Sequence, residues 1–67
     1  MQLTLKRARE RRKLTKAALA VKSGVHKSTV GRIESGEVKP LHETVTAFEA
    51  ALELTPGTLV FHSEASR

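Results

Sequence analysis

Apolar residues recur along the chain at intervals of three and four, the spacing that places side chains on one face of an α-helix. Four stretches carry this pattern, at about residues 4–12, 15–23, 27–34 and 41–52. The most regular stripe lies in the fourth stretch and consists of Leu41, Val45, Phe48 and Leu52. We therefore expect an all-α domain in which the fourth helix supplies the centre of the core.

Residues that suit helix ends mark the boundaries of these stretches. Thr4 and Thr15 are good N-caps, and Gly24 provides the positive φ that a sharp reversal after the second helix requires. Pro40 biases Lys39 away from helical angles, which predicts a loop before the fourth helix. The second and third helices then form a helix-turn-helix, two short helices joined by one sharp turn.

The segment that follows the fourth helix allows two interpretations. Thr55 and Pro56 form an N-cap with proline at the first helical position, which predicts a short fifth helix through about Val60. Residues 58–62 also alternate as a strand does, but a lone strand would need a partner from another chain. We favour the helix and keep a short C-terminal strand as the alternative.

These elements predict one five-helix domain over residues 1–62 and a disordered tail over residues 63–67. A chain of 67 residues is near the lower size at which a core holds together without disulfides or metal. Its C-terminal part nevertheless has more apolar side chains than so small a domain easily hides, which predicts contact with a second copy. The residues concerned are Leu54, Leu59 and Phe61.

Charge is distributed unevenly along the sequence, whose net charge is +5. Residues 1–39 hold eleven Lys or Arg and three Glu, whereas residues 40–67 hold one Arg and four Glu. The basic half contains the helix-turn-helix. A basic surface in that position is typical of a protein that binds a polyanion, and we expect double-stranded DNA as the partner.

Residues that enzymes and metal sites commonly use are absent or scattered. The chain has no Cys or Asp, and its histidines, His26, His42 and His62, fall on a turn, a helix and the C-terminal segment. Ser28 and Ser35 have no base beside them at helical spacing. No apolar run approaches the roughly 20 residues of a membrane span. We expect a cytoplasmic non-enzyme with no catalytic residue, metal, cofactor, membrane contact or small-molecule ligand.

The outer face of the third helix has the composition of a surface that enters a DNA major groove. Its candidate base-contacting residues are Lys27, Ser28, Thr29 and Arg32. Adenine is usually contacted by Asn or Gln, but the chain has no Asn and its single Gln is Gln2. We therefore expect Arg32 to contact guanine.

Four further residues are candidate contacts to DNA phosphates, namely Lys16, His26, Ser35 and Lys39. Lys16 and Lys27 each fall in the first turn of a helix, where a cation opposes the helix dipole. A bound phosphate would reverse that effect, because helix N-termini favour anions.

Residues 15–36 resemble the helix-turn-helix of the phage repressor and Cro type of DNA-binding domain, also called the xenobiotic-response-element family. The resemblance covers about residues 5–60. It rests on Leu5, Arg9, Leu14, Leu19, Ala20, Gly24, Val25, Ser28, Thr29, Val30, Arg32, Ile33, Glu34, Gly36, Pro40, Glu43, Thr44, Ala51 and Leu52. It implies a lambda-repressor-like fold and a homodimer on a two-fold operator. The family usually has Gly at Lys13, Gln at Lys16 and Ala at Glu49, so these positions depart from its pattern.

The resemblance also implies a structural ion pair between Arg9 and Glu34, because the matching family positions are paired. Arg9 lies on the inner side of the first helix. Glu34 lies about 70° from the centre of the apolar stripe of the third helix. This angle allows its carboxylate to reach a buried partner.

The sequence as a whole predicts a sequence-specific DNA-binding transcriptional regulator, and the resemblance favours a repressor that acts as a homodimer. One alternative is the DNA-binding antitoxin of a toxin–antitoxin pair, with residues 54–67 in contact with the toxin. Another is a protein-interaction module that has kept this fold and lost DNA binding.

Overall fold

The computed structural model describes residues 3–61, which form four α-helices. They are α1 (Leu5–Arg11), α2 (Lys16–Ser23), α3 (Lys27–Glu34) and α4 (His42–Ala51). The predictions of an all-α fold and of these four helices are confirmed. The disordered tail expected at residues 63–67 lies outside the described residues.

Threonine caps begin the first two helices as the sequence predicts. Thr4 Oγ1 accepts a hydrogen bond from the Arg7 N–H at 3.2 Å, and Thr15 Oγ1 accepts one from the Ala18 N–H at 3.0 Å. Each bond satisfies a backbone donor that the helix itself leaves unpaired, so each threonine fixes where its helix begins.

Left-handed backbone angles make the two turns around α2. Gly24 ends α2 with φ 77°, which allows the chain to reverse into α3. Lys13 lies between α1 and α2 with φ 58°, an angle that glycine adopts more easily than lysine does. The glycine that the resemblance implies at position 13 would adopt this angle more easily.

The core lies where α2 packs between α3 and α4, with α1 packed against α3. Its buried apolar residues are Leu5, Ala8, Leu19, Val30, Ile33, Phe48, Leu52 and Leu59. Phe48 and Leu19 are completely buried, as expected for the centre of the core. The predicted stripe on α4 is wrong at its first position, because Leu41 is the N-cap of α4 and is 70% exposed.

The predicted fifth helix is not formed. Gly57 adopts φ 90°, which is incompatible with a right-handed helix, and the chain then continues in extended form. The Leu3 N–H donates to the Thr58 carbonyl and the Val60 N–H donates to the Leu3 carbonyl, both at 2.9 Å. These two bonds form a single parallel bridge between Leu3 and Leu59, so the partner of the extended segment comes from the same chain.

This bridge also changes the expected dimer contact. Leu59 is only 6% exposed and belongs to the core, which corrects its assignment to a contact with a second copy. Leu54 and Phe61 are partly buried and pack against that core. The large apolar side chains that the described residues expose are Val21, Val38 and Leu41.

Glu49 holds the turn that leads into the extended segment. It lies on the buried side of α4, with 6% exposure, and its Oε2 accepts the Gly57 N–H at 2.8 Å. The Leu54 N–H donates to its backbone carbonyl at 2.8 Å. Glu49, in place of the alanine that the resemblance implies, therefore gives this chain a buried acceptor that fixes residues 55–57.

We expect Glu49→Ala to lower the free energy of unfolding by about 1–3 kcal/mol, because the Gly57 N–H loses a charged acceptor. Urea denaturation followed by circular dichroism measures this change. Glu43→Ala is the matched control on the exposed first turn of α4, where the loss should stay below about 1 kcal/mol. Equal losses in the two variants would show that the bond to Gly57 does not stabilise the fold.

Candidate nucleic-acid interface

α3 has one face in the core and one face in solvent. Val30 and Ile33 are buried, whereas Lys27, Ser28 and Arg32 are exposed. By the helical repeat, Ser28 lies nearly opposite the centre of the buried stripe. The exposed face is therefore polar and cationic and carries two long side chains, those of Lys27 and Arg32.

Thr29, the fourth residue predicted to contact bases, is less exposed than the other three. Thr29 is half-buried, because it lies about 70° from the centre of the buried stripe of α3. Its side chain therefore lies between the buried face and the exposed face of α3. The structure thus brings three of the four predicted residues, Lys27, Ser28 and Arg32, to the solvent side of one helix.

The ion pair between Arg9 and Glu34 joins α1 to the last turn of α3. Arg9 Nε lies 2.7 Å from Glu34 Oε2, and Arg9 Nη2 lies 3.2 Å from Glu34 Oε1. Arg9 Nη1 donates to the Leu14 carbonyl at 2.7 Å. The side chains of Arg9 and Glu34 are only 10% and 5% exposed. This pair sets the position of α3 relative to α1.

The hydrogen bond to Glu34 raises the pKa of Arg9 above its ordinary value, although burial acts in the opposite direction. A raised pKa on a cationic group stabilises the folded chain at every pH below the unfolded pKa, and the effect is lost only as the pH rises through the folded pKa. Arg9 therefore stays charged throughout the neutral range, and the contribution of its charge does not vary there.

The predicted phosphate contacts are all exposed, at the ends of α2 and α3 and in the following loop. His26 is the N-cap of α3 but makes no capping hydrogen bond with its side chain. The Ser35 hydroxyl lies 3.0 Å from the Arg32 carbonyl and 3.1 Å from Glu37 Oε2. Ser35 would have to exchange these acceptors to donate to a phosphate. Lys39 is exposed in the loop between α3 and α4.

Lys16 and Lys6 line the same cleft. Sequence reasoning did not identify Lys6 as a candidate DNA contact. The cleft is bounded by Lys6, Lys16, Gly31, Glu34 and Ser35. A signal was present in the sequence, because Lys6 lies three residues before Arg9 and shares its side of α1. Once Arg9 contacts α3, Lys6 must lie near α3 as well.

A family model described as helix-turn-helix matches residues 5–59, which is most of the chain. The chain belongs to the Cro/C1-type helix-turn-helix family. This family consists of DNA-binding transcription regulators and is generally non-enzymatic. No curated protein and no solved structure matches the chain.

Two further observations concern the part of this Cro/C1-type domain that the structure describes. Residues 3–61 contain no group of three or more His, Cys, Asp or Glu placed to hold a metal ion. Within the same residues, every helix is too short or too polar to cross a membrane.

We expect Arg9→Met to lower the free energy of unfolding by about 3–5 kcal/mol, because it leaves the Glu34 carboxylate buried without a partner. Thermal or urea denaturation measures this loss. Arg12→Met is the matched control, since Arg12 pairs with Glu53 at 3.4 Å on the exposed surface and should contribute less than about 1 kcal/mol. An Arg9→Met protein as stable as Arg12→Met would contradict a stabilising buried pair.

Proposed function

We propose that the chain is a sequence-specific transcriptional repressor that binds a two-fold operator as a homodimer. The observation that supports this most strongly is the exposed outer face of α3, which is cationic while its inner face is fixed by Val30, Ile33 and the Glu34 ion pair. A helix held in this way can enter a major groove without rearrangement of the core. Repression requires no further activity, because a bound dimer blocks the DNA that it covers.

The size of the domain suits a two-fold complex. Its principal extents are 30 × 26 × 21 Å, so two copies side by side can place their α3 helices about 34–36 Å apart, one helical turn of DNA. A two-fold dimer uses the same surface patch on both copies. Leu54 and Phe61 remain predicted contacts between the copies.

Base recognition is assigned to the exposed residues of α3. Arg32 contacts guanine, because its guanidinium can donate to O6 and N7 together. Lys27 assists near the start of the helix. Ser28 and Thr29 contact a phosphate or a thymine methyl group. Partial burial of Thr29 reduces the side-chain surface that it presents to DNA.

Selection of bound sequences from random DNA duplexes at a stated salt concentration tests this function. We expect a palindromic site with two half-sites, each containing a recurring guanine. Absence of any enriched sequence would contradict sequence-specific binding. Co-purification of a second protein with the chain would instead favour the antitoxin alternative.

Arg32→Ala should lose about 1–3 kcal/mol of binding free energy at one base pair of each half-site and relax the preference there. Repeating the selection with the variant measures this effect. Lys22→Ala removes an exposed cation from the last turn of α2 and should leave the base preference unchanged. If Arg32→Ala retains the original preference, Arg32 does not contact the base.

The dependence of affinity on salt tests the phosphate contacts. About 6–8 neutralised phosphates per dimer predict a slope of roughly −5 to −7 for log K against log salt concentration. Lys16→Ala should weaken binding to all sequences alike, because phosphates carry no base identity. Fluorescence anisotropy with operator and scrambled duplexes makes this comparison. A change in base preference would show that Lys16 contacts a base.

A further inference from the structure

Lys6 and Lys16 lie on different helices but line one cleft, of about 220 Å³, between α1, α2 and α3. Lys16 is the first residue of α2, and Lys6 lies in the first turn of α1. Both lysines carry a positive charge, and an anion bound in the cleft would be attracted to both of them. The cleft therefore has the charge of an anion-binding site.

One acidic residue, Glu34, lines the same cleft, but its charge is already balanced. Both of its carboxylate oxygens accept hydrogen bonds from Arg9, at 2.7 and 3.2 Å, and its side chain is 5% exposed. Glu34 therefore does not neutralise Lys6 or Lys16. Without Arg9 the same carboxylate would repel an incoming phosphate, so the ion pair also keeps the cleft positive.

Gly31 leaves space for the ammonium group of Lys16 above α3. A β-carbon built on Gly31 would lie 4.0 Å from Lys16 Nζ, an ordinary contact distance, so an alanine would fit but a longer side chain would displace the lysine. Gly31 is the neighbour of Arg32, the residue proposed to contact guanine. The cleft thus lies beside the proposed base-contacting face of α3, where a DNA backbone would pass.

We propose that Lys6 and Lys16 bind one DNA phosphate together in this cleft, which makes Lys6 of α1 a contact residue for the operator. The proposal rests on the proposed function. Each lysine donates to one of the two unesterified oxygens of the same phosphodiester. The shared phosphate connects α1 to the DNA as well as α2 and α3.

A double-mutant cycle tests this proposal, with Lys6→Gln, Lys16→Gln, the double variant and the control Arg7→Gln, an exposed neighbour that does not line the cleft. Affinity for the selected operator is measured over a range of salt concentrations, after circular dichroism shows that every variant is folded. We expect Lys6→Gln to weaken binding about five- to 25-fold per dimer, up to about fivefold at each of two clefts. Arg7→Gln should have a smaller effect.

Sharing of one phosphate gives a distinct pattern in the double variant. Its loss of affinity should fall short of the product of the single losses by about twofold or more, because removing either lysine already weakens the one shared contact and leaves less for the second substitution to remove. The salt slope should decrease in magnitude by about 2 in the double variant and by less in each single variant.

Three outcomes overturn the proposal. A loss in Lys6→Gln no larger than in Arg7→Gln would exclude Lys6 from the interface, and losses that simply multiply would place the lysines on separate phosphates. Both outcomes leave the proposed repressor function intact if the unmodified protein still binds its operator. Failure of the unmodified protein to bind any duplex would overturn the function and this inference together.

Discussion

Arg9 lies between the first and third helices and donates to three oxygen atoms, two of Glu34 and the carbonyl of Leu14. The guanidinium has a fixed planar shape, so these bonds constrain angles as well as distances between the segments that they join. They connect α1, the turn before α2 and the last turn of α3. The outer face of α3 can serve as a recognition surface only because its inner side is held in this way.

The rest of the fold is stabilised by few apolar groups and several well-placed polar ones. A domain of this size buries a smaller fraction of its surface on folding than a larger domain does, so its core contributes little beyond the entropy that folding removes. Phe48, Leu19, Leu52 and Val30 are its largest fully buried side chains. Threonine caps and the bond from Gly57 to Glu49 supplement that core by satisfying backbone donors at the ends of elements.

Stability and DNA recognition make opposing demands on charge in this domain. Lys16 and Lys27 lie in the first turns of their helices, where a cation opposes the helix dipole, and the one acid that lines the cleft of Lys6 and Lys16 is paired with Arg9. A polyanion reverses each of these effects. Positive charges at positions that are unfavourable for the isolated chain are therefore consistent with DNA as its proposed partner.

The four helices, the turn at Gly24 and the cationic outer face of α3 follow from the local sequence, because helical periodicity, caps and turns depend on residues within a few positions of one another. The ion pair between Arg9 and Glu34 could also be expected, though only through the resemblance to a family. The place of Leu59 depends on tertiary structure, because it pairs with Leu3 at the other end of the chain instead of joining a fifth helix. Tertiary structure likewise decided the roles of Glu49 and Lys6. Each of these outcomes depends on which distant backbone or charge lies opposite a residue, and no local pattern contains that information.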